Sequence, residues 1–383
     1  MLQGKSFGKS WKQPNEEIPE ETTMDLNILD EVQTKMLSLE SRLQPVETER
    51  IPVSEAWGRI LGEPIVSFRD SPALDLSAMD GYAVRRADLV AKDAASSSDP
   101  NTKGLEFPVV AVATAGGTPK ELGVGQAIRI FTGGVVPQGA DVVIPRERCR
   151  ESADHVVIAM PLQQIPSGWN IRRRAENAPA GSPVLQRGVL IDGPRMSSIV
   201  SMHDQATVQV YRRVKVAIIN TGDELLALGQ PIEPWQIRDS NGPLLEAMLR
   251  ECPWIEFKRT AVRDDPVAIQ RAIADALVSS DAVLLTGGVS MGDTDHVPEA
   301  TVRCGGEIIF HRLPIRPGAP ILGAATESGQ LILGLPGNPV SVAVTFRRFG
   351  LGLLDRIGGK TSAQQFVKTQ LANGDHKSLH LVW

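Results

Sequence analysis

Between residues 26 and 39 the apolar side chains Leu26, Ile28, Leu29, Val32, Met36, Leu37 and Leu39 recur at helical spacing, which predicts an amphipathic helix over about 25–43. From about residue 50 to 160 the texture changes to short apolar runs, such as EFPVVAVATA, QAIRIFTGG, ADVVIP and HVVIAM, broken by Gly, Pro, Asn and Asp. Runs of that length between turn formers predict a β-rich domain, with AKDAASSSDPNTKG as an exposed loop inside it. After residue 213 strand and helix patterns alternate: VKVAIIN, NGPLLEAMLREC, IEFKRTAV, DPVAIQRAIADALVSS and DAVLLTG. Three more strand-like runs follow (EIIFHRL, APILGAA, QLILGLP), and NPVSVAVTFRRFGLGLL reads as a closing helix. Such alternation predicts a mostly parallel sheet with helices on both faces, a three-layer α/β domain over 214–357. Residues 26–50 and 160–213 flank the β-rich stretch 51–159, so they are expected to form one discontinuous mixed domain. The apolar segments SPVLQRGVLI and MSSIVSM argue that 160–213 packs rather than links. Residues 1–25 carry charge, Pro and Gly without periodicity, which predicts a disordered tail. The predicted class is therefore multidomain α/β plus β, in an elongated chain.

Composition narrows the partners. With 383 residues and 42% hydrophobic content, the chain can build several cores. A formal net charge of -5 offers no general attraction to nucleic acid or an anionic membrane. No run of about 18 apolar residues occurs and the N-terminus is polar, so no membrane span and no secretion are expected, and the cytoplasm is the default location. Cys149, Cys252 and Cys304 stand far apart with no ligand spacing, as buried reduced thiols would.

Three strands of the α/β part end in polar turns: VAIINTGDEL, VLLTGGVSMGDTD and LILGLPGNPVS. Glycine lets backbone approach a ligand and point N–H groups at an anion, and ligands of open α/β sheets bind at the carboxyl ends of strands. A phosphate suits these turns. Asp223, Glu224, Asp293 and Asp295 would repel it directly, so they fit as Mg²⁺ ligands or as acceptors for hydroxyls and amines. One such turn alone would more simply be a helix-capping turn; three in one domain favour a site. Neither GxxxxGK[ST] nor GxGxxG is present, so Walker-type and Rossmann dinucleotide binding are not indicated. Two further stretches do not read as core, DLSAMDGYAVRRADL and WNIRRRAENAPAG. Arg172, Arg173 and Arg174 suit an anion clamp. They suit equally a solvated charge run, or ion pairing with Glu176 and a neighbouring subunit.

Nine motifs in order give the chain a family resemblance: SAMDGYAV (77–84), IFTGGVVPQGADVVI (130–144), NIRRRAEN (170–177), NTGDEL (220–225), IRDSN (237–241), VRDDP (262–266), TGGVSMGDTD (286–295), IRPG (315–318) and LPGNPVS (335–341). The chain resembles MoeA-type molybdopterin molybdenumtransferases, the family of the gephyrin C-terminal domain, over about 26–357. SAMDGYAV and NIRRR separate it from MogA-like and CinA-like proteins, which share only the α/β part. The resemblance implies a homodimer that takes adenylylated molybdopterin and molybdate, cleaves the adenylate with Mg²⁺, and leaves molybdenum on the dithiolene. A MogA-like adenylyltransferase is the implied partner. Carried over by motif, Asp80 and Thr132 of one subunit face Glu224, Asp264 and Asp295 of the other, with those three acids as metal ligands. Arg312 and Arg316 suit phosphate or molybdate. Gly287, Gly288 and Ser290, with Pro336, Gly337 and Asn338, hold the pterin side, joined by Arg172 and Arg173.

Departures from the family pattern bear on activity. HRLPIRPG carries arginine where the family usually has lysine, which keeps charge but changes geometry. AEN replaces the usual GED, so Asn177 is a poor metal ligand and Ala175 occupies a position where φ > 0 is expected. Residues 358–383 are too few for the family's fourth, β-rich domain and read as a short remnant of it. A non-catalytic pterin-binding or scaffolding paralogue is the alternative, and a CinA-like nucleotide pyrophosphatase the third reading.

Overall fold

The computed structural model describes residues 22–96, 104–223, 225–226, 229–289 and 295–361. The expected tail over 1–25 and the remnant over 358–383 lie almost wholly outside the described residues.

The first helix, Thr22–Arg42, ends close to its predicted limit. Val32, Met36, Leu39 and Leu43 are buried, at the i, i+4, i+7, i+11 spacing of one helical stripe, while Leu37, off that stripe, is exposed. The stripe joins Val214, Phe310 and Ile321 in one apolar cluster, and Arg42 grips Glu307 through both Nη atoms at 2.9 and 3.2 Å. The helix therefore docks on the α/β sheet rather than only on the 160–213 segment.

Residues 48–66 also group differently from their composition. Thr48–Pro52 and Ile60–Leu61 flank Thr207–Tyr211 in an antiparallel sheet, and Ile65–Val66 pairs with Pro183–Leu185. Ile51, Leu61 and Ile65 then share a core with Ile191, Ile199, Val208 and Val210. Helix Gly193–Met202 closes this unit, its first turn capped by the Asp192 carboxylate accepting from Arg195 N.

The β-rich excursion forms a six-stranded sheet in the order Val142–Pro145, Gly81–Val84, Ala127–Ile130, Leu105–Ala113, His155–Ile158 and Cys149–Glu151. Both its faces are apolar: Tyr82, Val84, Phe107 and Ile144 fill one cluster, Ala83, Ile128, Ile130 and Val143 the other. The first cluster also takes in Met160, Leu162, Ile165 and Trp169 and the second Ile171, so residues 160–171 pack with this sheet rather than with the discontinuous unit expected to hold them.

The α/β unit is a six-stranded sheet in the order Ile255–Val262, Val214–Thr221, Ala282–Thr286, Leu331–Leu335, Leu322–Thr326 and Gly306–His311. The first four are parallel; Leu322–Thr326 runs antiparallel to them, and Gly306–His311 runs antiparallel to that strand in turn. Ala282–Thr286 and Leu331–Leu335 are buried throughout, as central strands covered on both faces must be. Helix Pro266–Ser279 covers one face through Ile269 and Ile273; Asn241–Arg250 covers the other through Leu245 and Leu249. The closing helix passes through a wider turn at Phe346–Gly350, where the Phe346 ring would lie 2.4 Å from any Cβ at Gly350. Among the described residues no helix is long and apolar enough to cross a membrane, and all three cysteines are free.

Candidate active site

The three polar turns meet at the carboxyl edge of the parallel strands. Asn220 and Thr221 end the first strand buried, and Thr286 ends its neighbour buried. Asn220 Nδ2 donates to Thr286 Oγ1 (2.6 Å) and Thr221 Oγ1 to the Thr286 carbonyl (3.4 Å), which ties the two strand ends together. Gly287 and Gly288 then turn the chain with φ of 89° and 62°. A Cβ on Gly287 would lie 2.5 Å from the Thr221 carbonyl oxygen, so glycine is required there by contact as well as by φ. A Cβ on Gly288 would lie 3.7 Å from Asp264 Oδ1, which locates Asp264 against this turn. Asp264 N donates to Asp223 Oδ1 at 3.4 Å, and Asp265 caps helix Pro266–Ser279 through Ala268 N. Asp295 is half-buried two residues before Val297, whose N–H reaches the Gly288 carbonyl at 3.3 Å. Asp264 is thus brought to the glycine turn, and the chain just after Asp295 is bonded to it. Glu224 and Ser290 lie outside the described residues, as does Asp293.

The third turn is partly structural. Asn338 caps helix Pro339–Thr345 by accepting from Val340 N (3.0 Å) and Ser341 N (3.3 Å). Gly337 has open space at its Cβ position and gives its carbonyl to Asn241 Nδ2 at 2.8 Å, so the IRDSN segment buttresses the PGNP turn. Beside it runs HRLPIRPG. Leu313 and Ile315 are buried, and the alternation leaves Arg312 and Arg316 exposed. Gly318 locks this loop onto Thr345, whose Cγ2 would lie 2.2 Å from any Cβ there. Arg312 itself sits at φ 75°, a conformation that costs a non-glycine residue and that recurs at functional positions. Among the described residues neither guanidinium has an ion-pair partner.

On the β-rich sheet, Asp80 is exposed at the start of Gly81–Val84. Thr132 donates both its N–H and its hydroxyl to Asp80 Oδ1, each at 2.8 Å. Those two bonds, the backbone one first, hold the Asp80 carboxyl below the usual range. Gly81 is fixed by contact: a Cβ would stand 2.0 Å from the Ile144 carbonyl oxygen. Beneath it Tyr82 donates to Glu151 (2.9 Å), which also accepts both arms of Arg146, and Arg146 N returns to the Asp80 carbonyl at 3.0 Å. Burial, then the Glu151 carboxylate, push the Tyr82 hydroxyl up to about 12.

The arginine run is held by one amide and by acids, among them Glu176, which stands 3.9 Å from Arg172 Nε and accepts from Arg173 N at 2.8 Å. Arg172 gives Nη2 to Asn177 (2.8 Å), Arg173 gives Nη1 to Asp75 (2.6 Å), and Arg174 gives Nε to Asp70 (2.5 Å). Ala175 adopts φ 62°, the left-handed conformation expected where the family pattern has glycine. Asp70, Asp75 and Asn241 carry site contacts that reading the sequence did not single out, and His311, which could touch the ligand but was given no role, carries another. His311 Nε2 donates to the Val289 carbonyl at 2.8 Å, just after the double glycine. Its only sequence signal was a polar side chain at the end of an apolar strand.

Donor chemistry fits a hard divalent cation at the Gly288 turn, since carboxylate oxygens are what Mg²⁺ takes. Among the described residues no group of three His, Cys, Asp or Glu side chains is assembled for a metal, and the third expected ligand, Glu224, is outside them.

The fold and this edge define a class, a molybdopterin-binding α/β unit joined to a MoeA-type N-terminal region. Residues 28–202 match the family model described as the MoeA N-terminal region (domain I and II), and 217–356 the probable molybdopterin binding domain. The molybdopterin molybdenumtransferase of Nostoc sp. is 37% identical over 339 residues, covering 87% of this chain and 74% of its own. That of Bacillus subtilis is 33% identical over 305 residues, covering 79% and 69%. The crystal structure of the molybdopterin biosynthesis moeA protein from Pyrococcus horikoshii is 28% identical, covers 86% of this chain and 80% of its own, and superposes with a TM-score of 0.68. The chain belongs to the molybdopterin molybdenumtransferase family, and is a transferase of molybdenum cofactor biosynthesis.

Proposed function

We propose that this chain inserts molybdenum from molybdate into adenylylated molybdopterin with release of AMP, working as a Mg²⁺-dependent homodimer in the cytoplasm. The observation that carries the reading is the Gly287–Gly288 turn. It is a tight glycine turn with Asp264 beside it and the segment after Asp295 bonded to it through Val297 N, on the same sheet edge as the PGNP turn and two exposed arginines that have no acid partner among the described residues.

In that reaction water adds to the phosphoanhydride phosphorus, the bond to AMP breaks, and AMP leaves as the phosphate anion. The two sulfurs of the dithiol bond molybdenum and give their two protons to one molybdate oxygen, which departs as water. Bound Mg²⁺ would be held by Glu224, Asp264 and Asp295 and would supply charge neutralisation on the pyrophosphate. Arg312 and Arg316 bind oxyanion, and their fixed forks orient it. Gly287, Gly288 and Ser290 give backbone approach to the pterin phosphate, and Pro336, Gly337 and Asn338 line its other side. Arg172 and Arg173 keep N–H groups beyond those given to Asn177 and Asp75, and they reach the ligand from the β-rich side. Asp80, ionised and aimed by Thr132, serves as a hydrogen-bond acceptor for ligand or water rather than as a proton donor, because its proton is lost below the usual carboxylate range. By family resemblance Asp80 and Thr132 act on the acids of the other subunit, and a MogA-like adenylyltransferase supplies the substrate.

Purified chain given adenylylated molybdopterin, Mg²⁺ and molybdate should release AMP and transfer molybdenum to the pterin, and Asp295→Asn should abolish both. Tight pterin binding without AMP release would instead establish the scaffolding alternative.

A further inference from the structure

With residues 160–171 packed into its two apolar clusters, the β-rich unit shares no cluster with the remaining units among the described residues, so something else must set its attitude. Two chain segments, 67–78 and 168–182, run between it and the sheet of Thr207–Tyr211. They run antiparallel and are laced by backbone bonds: Ser67 N to Ser182 O, Gly181 N to Ser67 O, Ser71 N to Ala178 O, Asn177 N to Ser71 O, Ala175 N to Pro72 O and Ala78 N to Asn170 O, all between 2.8 and 3.0 Å. Onto this narrow ladder the structure adds the whole arginine run. Asp70 accepts Arg174 Nε on one oxygen and Ala180 N (2.8 Å) on the other. Asp75 accepts Arg173 Nη1 on one oxygen and Arg174 N (2.8 Å) on the other. Asn177 takes Arg172 and donates to Ser71 Oγ at 3.3 Å. Each acid thus spans the two segments by one charge-assisted and one backbone bond, the stronger kind of hydrogen bond.

We propose that Asp70 and Asp75 are positioning residues that turn the arginine run into a clasp across this junction, fixing the β-rich unit so that Asp80 and Thr132 are presented to the opposing carboxylates at one reach. Lone surface ion pairs contribute little, but here several charges converge on a two-segment bridge whose places in an apolar cluster are confined to its Trp169 and Ile171 end. A two-strand ladder without a packed face is marginal alone. The consequence for catalysis rests on the reading of Asp80 and Thr132 given above; the clasp itself does not.

The test is a distance distribution by pulsed electron resonance on the full chain without ligand. Spin labels go on Val112→Cys in the β-rich sheet and Val278→Cys on the α/β unit, both exposed, with the labelled chain diluted in unlabelled chain. Burial holds the native Cys149 and Cys252 thiols up to about 12 and about 11, and raises Cys304, so neutral labelling favours the added sites. The parent should give one narrow distribution. Asp75→Asn and the Arg173→Gln/Arg174→Gln pair should broaden it, whereas Arg174→Lys, which keeps a cation at Asp70, should stay close to the parent. The glutamine pair leaves both acids their backbone bonds, so it preserves folding, checked by an unchanged near-ultraviolet spectrum. A folded glutamine pair with the parent's narrow distribution overturns the clasp. In turnover, Asp75→Asn should raise KM about tenfold if the aligned arrangement falls to about a tenth of the population, with kcat nearly kept. A broadened distribution with unchanged KM would retain the clasp and reject the assigned roles of Asp80 and Thr132.

Discussion

At the residue scale, Asp80 shows how one neighbour sets a carboxylate's chemistry. Both Thr132 donors fall on the same oxygen, so the charged form is stabilised and its contribution is present above the ordinary carboxylate range and lost as pH falls through the lowered folded value. Thr132→Val removes the hydroxyl bond and keeps the N–H, and should move the Asp80 titration upward, measured by carboxyl NMR; an unmoved titration would mean the backbone bond alone sets it. Ala175 offers the opposite kind of test. An alanine at φ 62° costs roughly 1–2 kcal/mol, against the 0.5–1 kcal/mol that glycine loses in entropy, so Ala175→Gly should stabilise by about 0.5–1 kcal/mol, read as a raised Tm. The position was legible from the motif, because the need for φ > 0 is local. The fate of the arginine run was not, since Asp75 and Asp70 lie 98 and 104 residues from their partners and composition cannot bring them together.

At the scale of elements, most α/β strands and helices follow their periodicity within a few residues, since 3.6-residue and continuous apolar runs report burial directly, but the short helix Val297–Arg303 was not read from the sequence. The grouping of 48–66 was not legible: Thr48 faces Tyr211 across the sheet, a pairing that alternation permits but does not specify. The turns combine structural and ligand duties, and substitutions separate them. Asn338→Ala should cost about 1 kcal/mol through the lost cap. Asn338→Asp keeps that cap and should leave Tm near the parent while raising KM for the anionic substrate, a split that steady-state kinetics and calorimetry resolve. Gly287→Ala meets both the Thr221 carbonyl and an unfavourable φ, so destabilisation by about 2 kcal/mol or more is expected in a denaturant melt.

At the scale of the whole molecule, the match to the MoeA N-terminal region over 28–202 leaves a pyrophosphatase built on the α/β unit alone without an explanation for nearly half the chain. The acids at the Gly288 turn and the anchored Asp80 sit on units that share no core, and the family resemblance takes them from different subunits. A cleft of that kind can be reassembled from two defective parents. Asp80→Asn and Asp264→Asn should each lose AMP release by roughly a hundredfold or more. Exchanged at equal amounts, the two variants should regain about a quarter of parental activity, because half the dimers are mixed and each mixed dimer holds one intact site. Molybdate-stimulated AMP release from that mixture is the measurement that tests the account most directly: recovery to about a quarter is the predicted result, and a mixture as inactive as its parents would contradict a site shared between subunits.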